Sequence, residues 1–325
     1  MNVQSNRFQE IIGRFSEKSI LVIGDLMLDA YFWGKTERIS PEAPVPIVEV
    51  QRTNFNPGGA GNVALNLAEL GSKVSVLGII GKDTNGDTLI NQLKKVKIDV
   101  SPIIVLDNYQ TPTKTRVIAQ DQQVIRIDQE NNSINSKSIL TRFKDLLENN
   151  LDKYDGVIIA DYNKGLFSVE IIDIILNITK KLSIPVYVDP KFDNYFEYKN
   201  VHFFKPNAME FQKAVGNDFK KDNFIEHGNQ MRQNLNVDIL MVTKGSEGAV
   251  LFTDKGSHSI PTESHSAHDV SGAGDTVIST FTLADLSGAS AIEAANIANI
   301  AASIVCSQVG VVPIQLDDLK SKLLS

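Results

Sequence analysis

The stretch Asp-Val-Ser-Gly-Ala-Gly-Asp-Thr occupies residues 269–276 and leads into residues 276–286, whose spacing predicts a helix. Its two glycines and alanine leave backbone N–H groups open at a helix N-terminus, where unpaired donors and the helix dipole favour an anion. The carboxylate of Asp275 would repel a phosphate bound there, so its presence suggests a catalytic task. Such a task is to take the proton from a hydroxyl that attacks the phosphate. The stretch therefore indicates either a phosphoryl-transfer site or a tight turn with a helix cap.

Short β-branched runs alternate with helical patterns over most of the chain. This alternation predicts an α/β fold with a doubly wound, mostly parallel sheet flanked by helices. Asp25, Asp161, Asp189 and Thr243 follow strand runs, and sheets of this class bind ligands at the carboxyl ends of their strands. The predicted strands are 19–24, 73–80, 156–160, 184–189, 201–204 and 238–243, with an antiparallel edge pair at 248–252 and 257–260.

Two further segments, at about 31–51 and 113–128, predict β structure outside the main sheet. Neither fits a strand–helix–strand unit, so we expect them to form a small β lid. The sequence contains no internal repeat, low-complexity tract or obvious linker, which favours a single domain over residues 1–325.

The composition is that of an ordinary globular protein, with 325 residues, 42% of them hydrophobic and 22% charged. A net charge of −7 argues against a general role in binding nucleic acid or anionic membranes. The single cysteine, Cys306, allows no internal disulfide and suits a reducing compartment. The N-terminus is polar and no apolar run reaches membrane-spanning length, so we expect a cytoplasmic protein.

A second glycine-rich run, Gly-Gly-Ala-Gly-Asn at residues 58–62, precedes a predicted helix. Small residues within and after it satisfy the dinucleotide-binding pattern, with Asp83 about 20 residues further on. That pattern should follow the first buried strand directly, and here the lid candidate intervenes. Alternatively, the bare backbone approaches a small polar ligand while the amide of Asn62 binds its hydroxyls.

Two polar pairs lie at predicted element boundaries in the C-terminal half. Asn207 and Glu210 open a helix, where they form a capping box or, alternatively, Glu210 acts through water on a hydrated magnesium ion. Thr243 and Gly245 end a buried strand, where they form a plain turn or, alternatively, contact a nucleotide phosphate.

In this order, the motifs resemble the ribokinase family of carbohydrate kinases, also called the phosphofructokinase-B family, over nearly the whole chain. The resemblance is carried by the runs at 58–62 and 269–275, and by Asn207-x-x-Glu210 and Thr243-x-Gly245. Within the family, the sequence is most similar to kinases of heptose 7-phosphate. The stretches that carry this similarity are 24–29, 38–46, 161–165, 188–191 and 269–278.

The resemblance implies a magnesium-dependent sugar kinase that uses ATP. It implies transfer to the anomeric hydroxyl of D-glycero-D-manno-heptose 7-phosphate, giving the 1,7-bisphosphate for ADP-heptose and lipopolysaccharide core synthesis. It also implies that Asp275 is the general base and that N–H groups of Gly272, Ala273 and Gly274 stabilise the transferring phosphoryl group.

The resemblance carries over the remaining site residues in the same way. Sugar hydroxyls are assigned to Asp29, Gly59 and Asn62, magnesium and nucleotide phosphates to Asn207 and Glu210, and the nucleotide site to Thr243 and Gly245. The 7-phosphate needs cations, for which the candidates are Lys114, Arg116, Lys164 and Lys191, with Lys191 also a candidate for the nucleotide. By analogy, Asp269 and Ser271 hold a potassium ion, and the lid forms the contact of a homodimer.

Several alternatives remain open at this point. The chain could be a kinase of the same family that acts on fructose, a fructose phosphate or a nucleoside. It could also be an NAD-dependent oxidoreductase built on the run at 58–62, or a sugar-binding module without catalysis. No His-x-Gly-His nucleotidyltransferase motif occurs, so we expect no adenylyltransferase domain in this chain.

Overall fold

The computed structural model describes residues 3–120, 122–130, 137–262, 270–308 and 310–324. Strands in these residues form three sheets. They are β1 (Ser19–Gly24), β2 (Leu26–Ile39), β3 (Pro46–Gly59), β4 (Lys73–Leu77), β5 (Ile79–Gly81), β6 (Ile104–Leu106), β7 (Thr113–Ala119), β8 (Gln122–Gln129), β9 (Gly156–Ala160), β10 (Val186–Asp189), β11 (Phe203–Phe204), β12 (Ile239–Thr243), β13 (Ala249–Thr253) and β14 (Gly256–Ile260).

The largest sheet has eight strands in the order β14-β13-β12-β11-β10-β9-β1-β4. Neighbouring strands from β4 to β12 are parallel, and β13 and β14 complete the sheet as antiparallel edge strands. The predicted parallel sheet and its antiparallel edge pair are therefore confirmed.

Helices cover both faces of this sheet. In β1, Ile20 and Val22 belong to one hydrophobic cluster, while Leu21 and Ile23 belong to the other. Burial on both faces explains why the strand is a continuous apolar run rather than an alternating one. The helices are α1 (Val3–Gly13), α2 (Ala60–Glu69), α3 (Thr84–Lys95), α4 (Lys137–Asn150), α5 (Val169–Leu182), α6 (Ala208–Val215), α7 (Phe224–Leu235), α8 (Ala273–Leu286), α9 (Ala291–Cys306) and α10 (Leu316–Leu324).

The single strand predicted at 73–80 is wrong, because the chain leaves the main sheet after Leu77. β5 pairs with β6 in a separate parallel pair. Gly78 marks the break: a Cβ at this position would lie 2.6 Å from the carbonyl oxygen of Gly24 and 2.8 Å from Cγ of Leu26. Only glycine allows so close an approach of two backbones.

The lid is a four-stranded sheet in the order β3-β2-β7-β8. Its first two strands extend further than predicted, from Leu26 to Gly59, and the segment 113–128 is a hairpin of two strands. A single residue, Asp25, separates the end of β1 from the start of β2, and β3 runs directly into α2. The base of the lid therefore lies over the carboxyl ends of the main-sheet strands.

The two terminal helices, α1 and α10, have no counterpart in the sequence prediction. Their apolar side chains, such as Ile11 and Leu319, are buried in the same hydrophobic cluster as α2, α8 and α9. None of the helices in the described residues has the length and apolar character needed to cross a membrane.

Candidate active site

A cleft of about 860 Å³ lies between the base of the lid, the carboxyl ends of β10 to β12 and the start of α8. It brings together most of the residues predicted from the sequence. The predicted residues that line it are Asp29, Gly59, Asn62, Lys114, Arg116, Lys191, Asn207, Glu210, Thr243, Gly245, Ser271, Gly272, Ala273, Gly274 and Asp275.

Asp275 lies in the first turn of α8 rather than before it, because the helix begins at Ala273, three residues earlier than predicted. Gly272 is the N-cap residue, with a φ of 83° that favours glycine. The Asp275 carboxylate is buried, and it accepts hydrogen bonds from the hydroxyl of Tyr162 and from Nδ2 of Asn62, the latter at 2.6 Å. Burial raises the pKa of Asp275 to about 6, and these two donors oppose the increase.

The start of α8 offers fewer free donors than predicted. The N–H of Ala273 donates to the carbonyl oxygen of Val270 at 3.3 Å, whereas no partner for the N–H of Gly274 is found among the described residues. Beside Gly274 lies an ion pair between Lys205 Nζ and Asp189 Oδ1, 3.0 Å apart, and both side chains are buried. A buried ammonium group therefore faces the same space as the helix N-terminus.

The run at 58–62 lies at the base of the lid. Gly59 has a φ of 58°, and a Cβ there would meet the carbonyl oxygen of Asp25 at 2.5 Å. A side chain at Gly58 would collide with the carboxylate of Asp29 on the neighbouring strand. The absence of a side chain at Gly58 therefore leaves room for the Asp29 carboxylate, which lines the cleft and pairs with Arg116 Nη1 at 2.5 Å.

Asn207 and Glu210 form the capping box of α6, with side chain and backbone bonded in both directions at 2.8 and 2.9 Å. The other carboxylate oxygen of Glu210 accepts from Lys191 Nζ at 2.6 Å. Glu210 thus caps a helix and also faces the cleft, so the two interpretations of this pair are compatible. The N–H of Thr243 donates to the Pro206 carbonyl at 3.1 Å, which holds the end of β12 against the start of α6.

Two of the predicted site residues, Lys164 and Asp269, are not placed at the cleft. Lys164 is not among the described residues that line the cleft, and its Nζ pairs with Glu130 at 2.6 Å. A contact between Lys164 and the substrate phosphate stays a prediction. Asp269 lies outside the described residues, so of the predicted potassium ligands only Ser271 is placed, at the cleft.

Tyr162 and Lys205 also line the cleft and were not predicted from the sequence. Lys205 directly follows the end of β11, and Tyr162 lies two residues after the end of β9. This position after a strand is the sequence feature that could have identified them. Tyr162 is fixed by Asp25, whose buried carboxylate accepts from the N–H groups of Tyr162, Lys164 and Leu166 at 2.9 to 3.2 Å. Burial, reinforced by the nearby Asp161, raises the pKa of Asp25 to about 6.

The sequence pattern of the pfkB family carbohydrate kinases matches residues 17–317. The chain belongs to the pfkB family of carbohydrate kinases. Membership of this family supports a sugar kinase rather than the alternative of a non-catalytic sugar-binding module.

Family membership also overturns the oxidoreductase alternative, and the structure supplies the physical reason. The run at 58–62 follows a lid strand rather than a strand of the main sheet. Asp83 is the N-cap of α3, where its side chain accepts from the N–H groups of Gly86 at 2.7 Å and Thr111 at 2.8 Å. It therefore has a structural task in place of ribose binding.

The kinase is 38% identical to the bifunctional protein HldE of Sulfurimonas denitrificans over 302 residues, and 39% identical to that of Magnetococcus marinus over 318 residues. The matches cover 93% and 96% of this chain, but 63% and 65% of those proteins. The chain therefore spans less than two thirds of the length of these relatives.

Two solved structures share the fold. The phosphofructokinase-2 of Escherichia coli in complex with substrates and products gives a TM-score of 0.78 at 19% identity. The ribokinase of Arabidopsis thaliana complexed with ribose and ATP gives 0.72, also at 19% identity. Both comparisons cover 94% of this chain and 98% of the other chain, which confirms the predicted ribokinase-like fold.

Proposed function

We propose that this protein is a cytoplasmic kinase that transfers the γ-phosphoryl group of ATP to the anomeric hydroxyl of D-glycero-D-manno-heptose 7-phosphate, giving the 1,7-bisphosphate. The observation that carries the proposal is the placement of the buried Asp275 carboxylate beside the N-terminus of α8, in the cleft. The heptose substrate is supported by the motifs at 24–29 and 38–46 and by the similarity to proteins named HldE.

Asp275 is the proposed general base. A base works best when its pKa lies near the working pH, because it is then ionised and still able to hold a proton. The pKa of Asp275, raised to about 6 by burial, meets both conditions at neutral pH. Its carboxylate takes the proton of the sugar hydroxyl while that oxygen attacks the γ-phosphorus in line with the leaving group.

Positive charge for the transferring phosphoryl group has two proposed sources in this chain. The first is the N-terminus of α8, with the N–H groups of Gly272, Ala273 and Gly274; Ala273 contributes least, because its N–H already has a partner. The second is the ammonium group of Lys205, which lies against Gly274. Both are fixed before the substrate arrives, so little reorganisation is needed during transfer.

The sugar phosphate is proposed to bind at the base of the lid. Asp29, Gly59 and Asn62 would bind its hydroxyls, and Arg116 and Lys114 would bind its phosphate. Arg116 is held by Asp29 and by a contact of its guanidinium with the ring of Tyr31, 5.2 Å from the centroid. The lid would then close over the sugar and exclude water from the γ-phosphate.

The nucleotide is proposed to lie along Asn207, Thr243, Gly245 and Lys191. The described residues contain no group of three or more His, Cys, Asp or Glu side chains able to hold a metal, and both oxygens of Glu210 have partners. This donor set fits magnesium, which keeps most of its waters and binds mainly to phosphates, so Glu210 would hold the ion through water. When bound, the ion would neutralise charge on the phosphates.

A homodimer through the lid is part of the proposal. Strands β2, β3 and β8 carry exposed apolar side chains at Ile39, Val50, Ile125 and Ile127, which would lose contact with water in such an interface. Light scattering would report the mass, and a dimer that survives replacement of Ile125 and Ile127 by lysine would contradict the use of the lid.

A coupled ADP-release assay tests the proposed function with heptose 7-phosphate, fructose 6-phosphate and ribose in parallel. We expect the highest kcat/KM for heptose 7-phosphate. Turnover of hexose phosphates alone would keep the kinase but overturn the heptose assignment. Asp275→Asn is the catalytic control, with turnover expected to fall by about 10²- to 10⁴-fold while ATP and sugar still bind.

A further inference from the structure

Tyr162 lies in the loop that follows β9 and contacts the proposed base directly. Its hydroxyl donates to Oδ1 of Asp275, and Nδ2 of Asn62 donates to Oδ2. The two donors are 100 residues apart in the sequence, in the loop after β9 and in the first turn of α2. Each carboxylate oxygen therefore has one fixed donor before any substrate binds.

The position of Tyr162 is itself fixed on two sides. Its N–H donates to the buried carboxylate of Asp25 at 2.9 Å, and Nζ of Lys191 lies 5.5 Å from the centroid of its ring. Burial and the adjacent Asp275 charge raise the pKa of the Tyr162 hydroxyl well above its ordinary value. Tyr162 therefore stays neutral at any working pH and can only serve Asp275 as a hydrogen-bond donor.

We propose that Tyr162 is a positioning residue for the general base: its hydroxyl holds Oδ1 of Asp275 and fixes the edge of the carboxylate that the sugar hydroxyl meets. This inference rests on the proposed function, because it requires Asp275 to be the base. A carboxylate with one donor on each oxygen keeps one free acceptor direction on each. The Asp275 carboxylate therefore cannot rotate freely, and an incoming hydroxyl meets it in a defined orientation.

The same hydrogen bond stabilises the charged form of the carboxylate, so its loss should make Asp275 harder to ionise. Other charged groups from four segments of the chain line the same cleft. They are Asp29 on β2, Asp189 and Lys191 at the end of β10, Lys205 after β11, and Arg116 on β7.

Tyr162→Phe removes only the hydroxyl and tests the inference. A base must be ionised to act, so a higher pKa of Asp275 moves the acidic limb of the kcat/KM profile to higher pH. We expect a displacement of about one pH unit, with the largest loss of activity below pH 7. The carboxyl carbon of Asp275, observed by NMR in protein labelled with [γ-¹³C]aspartate and assigned with Asp275→Asn, should titrate at correspondingly higher pH without any substrate.

Tyr187→Phe is the matched control, because it also removes a buried tyrosine–carboxylate hydrogen bond, from Tyr187 to Asp285 at 2.6 Å. Asp285 is ten residues further along α8, about 15 Å away by helix rise. This control should leave both the profile and the titration of Asp275 unchanged.

The possible outcomes separate the inference from the proposed function. An Asp275→Asn variant that keeps normal turnover refutes the base and the inference with it. An inactive Asp275→Asn variant together with an unmoved titration and profile in Tyr162→Phe refutes the inference alone. If Tyr162→Phe does not fold, Tyr162→Met, which also lacks the hydroxyl and adapts its shape more easily, gives the same comparison.

Discussion

Replacing Asp275 by asparagine should lower turnover by about 10²- to 10⁴-fold and, at neutral pH, stabilise the fold. Burial raises the pKa of this carboxyl from its ordinary 3.8 to about 6. The unfolded chain releases the proton near the lower value and the folded protein near the higher one, so folding stability falls as the pH rises between them. Each pH unit is worth about 1.4 kcal/mol, so ionised Asp275 costs the folded protein about 3 kcal/mol above pH 6.

Asparagine removes this cost but turns one acceptor into a donor. Its amide oxygen accepts from either Tyr162 or Asn62, and the other donor loses a charged partner, which costs about 1–3 kcal/mol. The difference leaves a net gain of up to about 2 kcal/mol in unfolding free energy at pH 8. The gain should disappear near pH 4, because the wild-type carboxyl is then largely protonated as well.

Urea unfolding at pH 8 and at pH 4, together with ADP release, measures both effects. Asp285→Asn, at the other end of the same helix, is the control and should keep normal turnover. An Asp275→Asn variant within tenfold of wild-type turnover would contradict the proposed base. A stability difference of the same size at both pH values would refute the electrostatic argument.

Three further predictions follow from the same geometry. Lys205→Met should lower turnover by about 10²- to 10³-fold, whereas Lys213→Met on the exposed side of α6 should not, as measured by ADP release. Arg116→Gln should raise the KM for the sugar phosphate at least about tenfold and leave the KM for ATP unchanged, as steady-state kinetics would show. Gly272→Ala should lower the unfolding free energy by about 1–2 kcal/mol in urea titrations, because φ is 83° and the new Cβ would lie 3.0 Å from Val311 and 3.1 Å from Asn62.

The main sheet was predictable because its strands are buried on both faces. Runs such as 19–24 and 156–160 must then be apolar throughout, and their bounds are confirmed to the residue. The break at Gly78 was not predictable, because it depends on the backbone of Gly24 approaching from a distant part of the chain. The early start of α8 was missed for a related reason, since Gly272 permits an N-cap that the residue pattern alone does not require.

The candidate site was predictable where one short stretch holds both the residue and its reason, as at Gly272 and Asp275. Tyr162 and Lys205 lack such local context. Tyr162 meets Asp275 across 113 residues of sequence, and Lys205 gains its importance only from Asp189 and Gly274 beside it. Contacts of this range depend on strand order, which no local motif encodes.

If the substrate is a sugar phosphate, as proposed, the ion pair between Asp29 and Arg116 would help the site to select it over the unphosphorylated sugar. The carboxylate of Asp29 and the guanidinium of Arg116 are paired with each other, so substrate must displace one of them to bind the other. A sugar that carries a phosphate can draw the guanidinium away through a bidentate contact, and the released carboxylate of Asp29 can then accept sugar hydroxyls. A sugar without the phosphate must compete with Arg116 for Asp29 and gains nothing in exchange. We therefore expect Arg116→Gln to narrow the difference in kcat/KM between heptose 7-phosphate and heptose, and an unchanged ratio would show that the pair plays no part in selection.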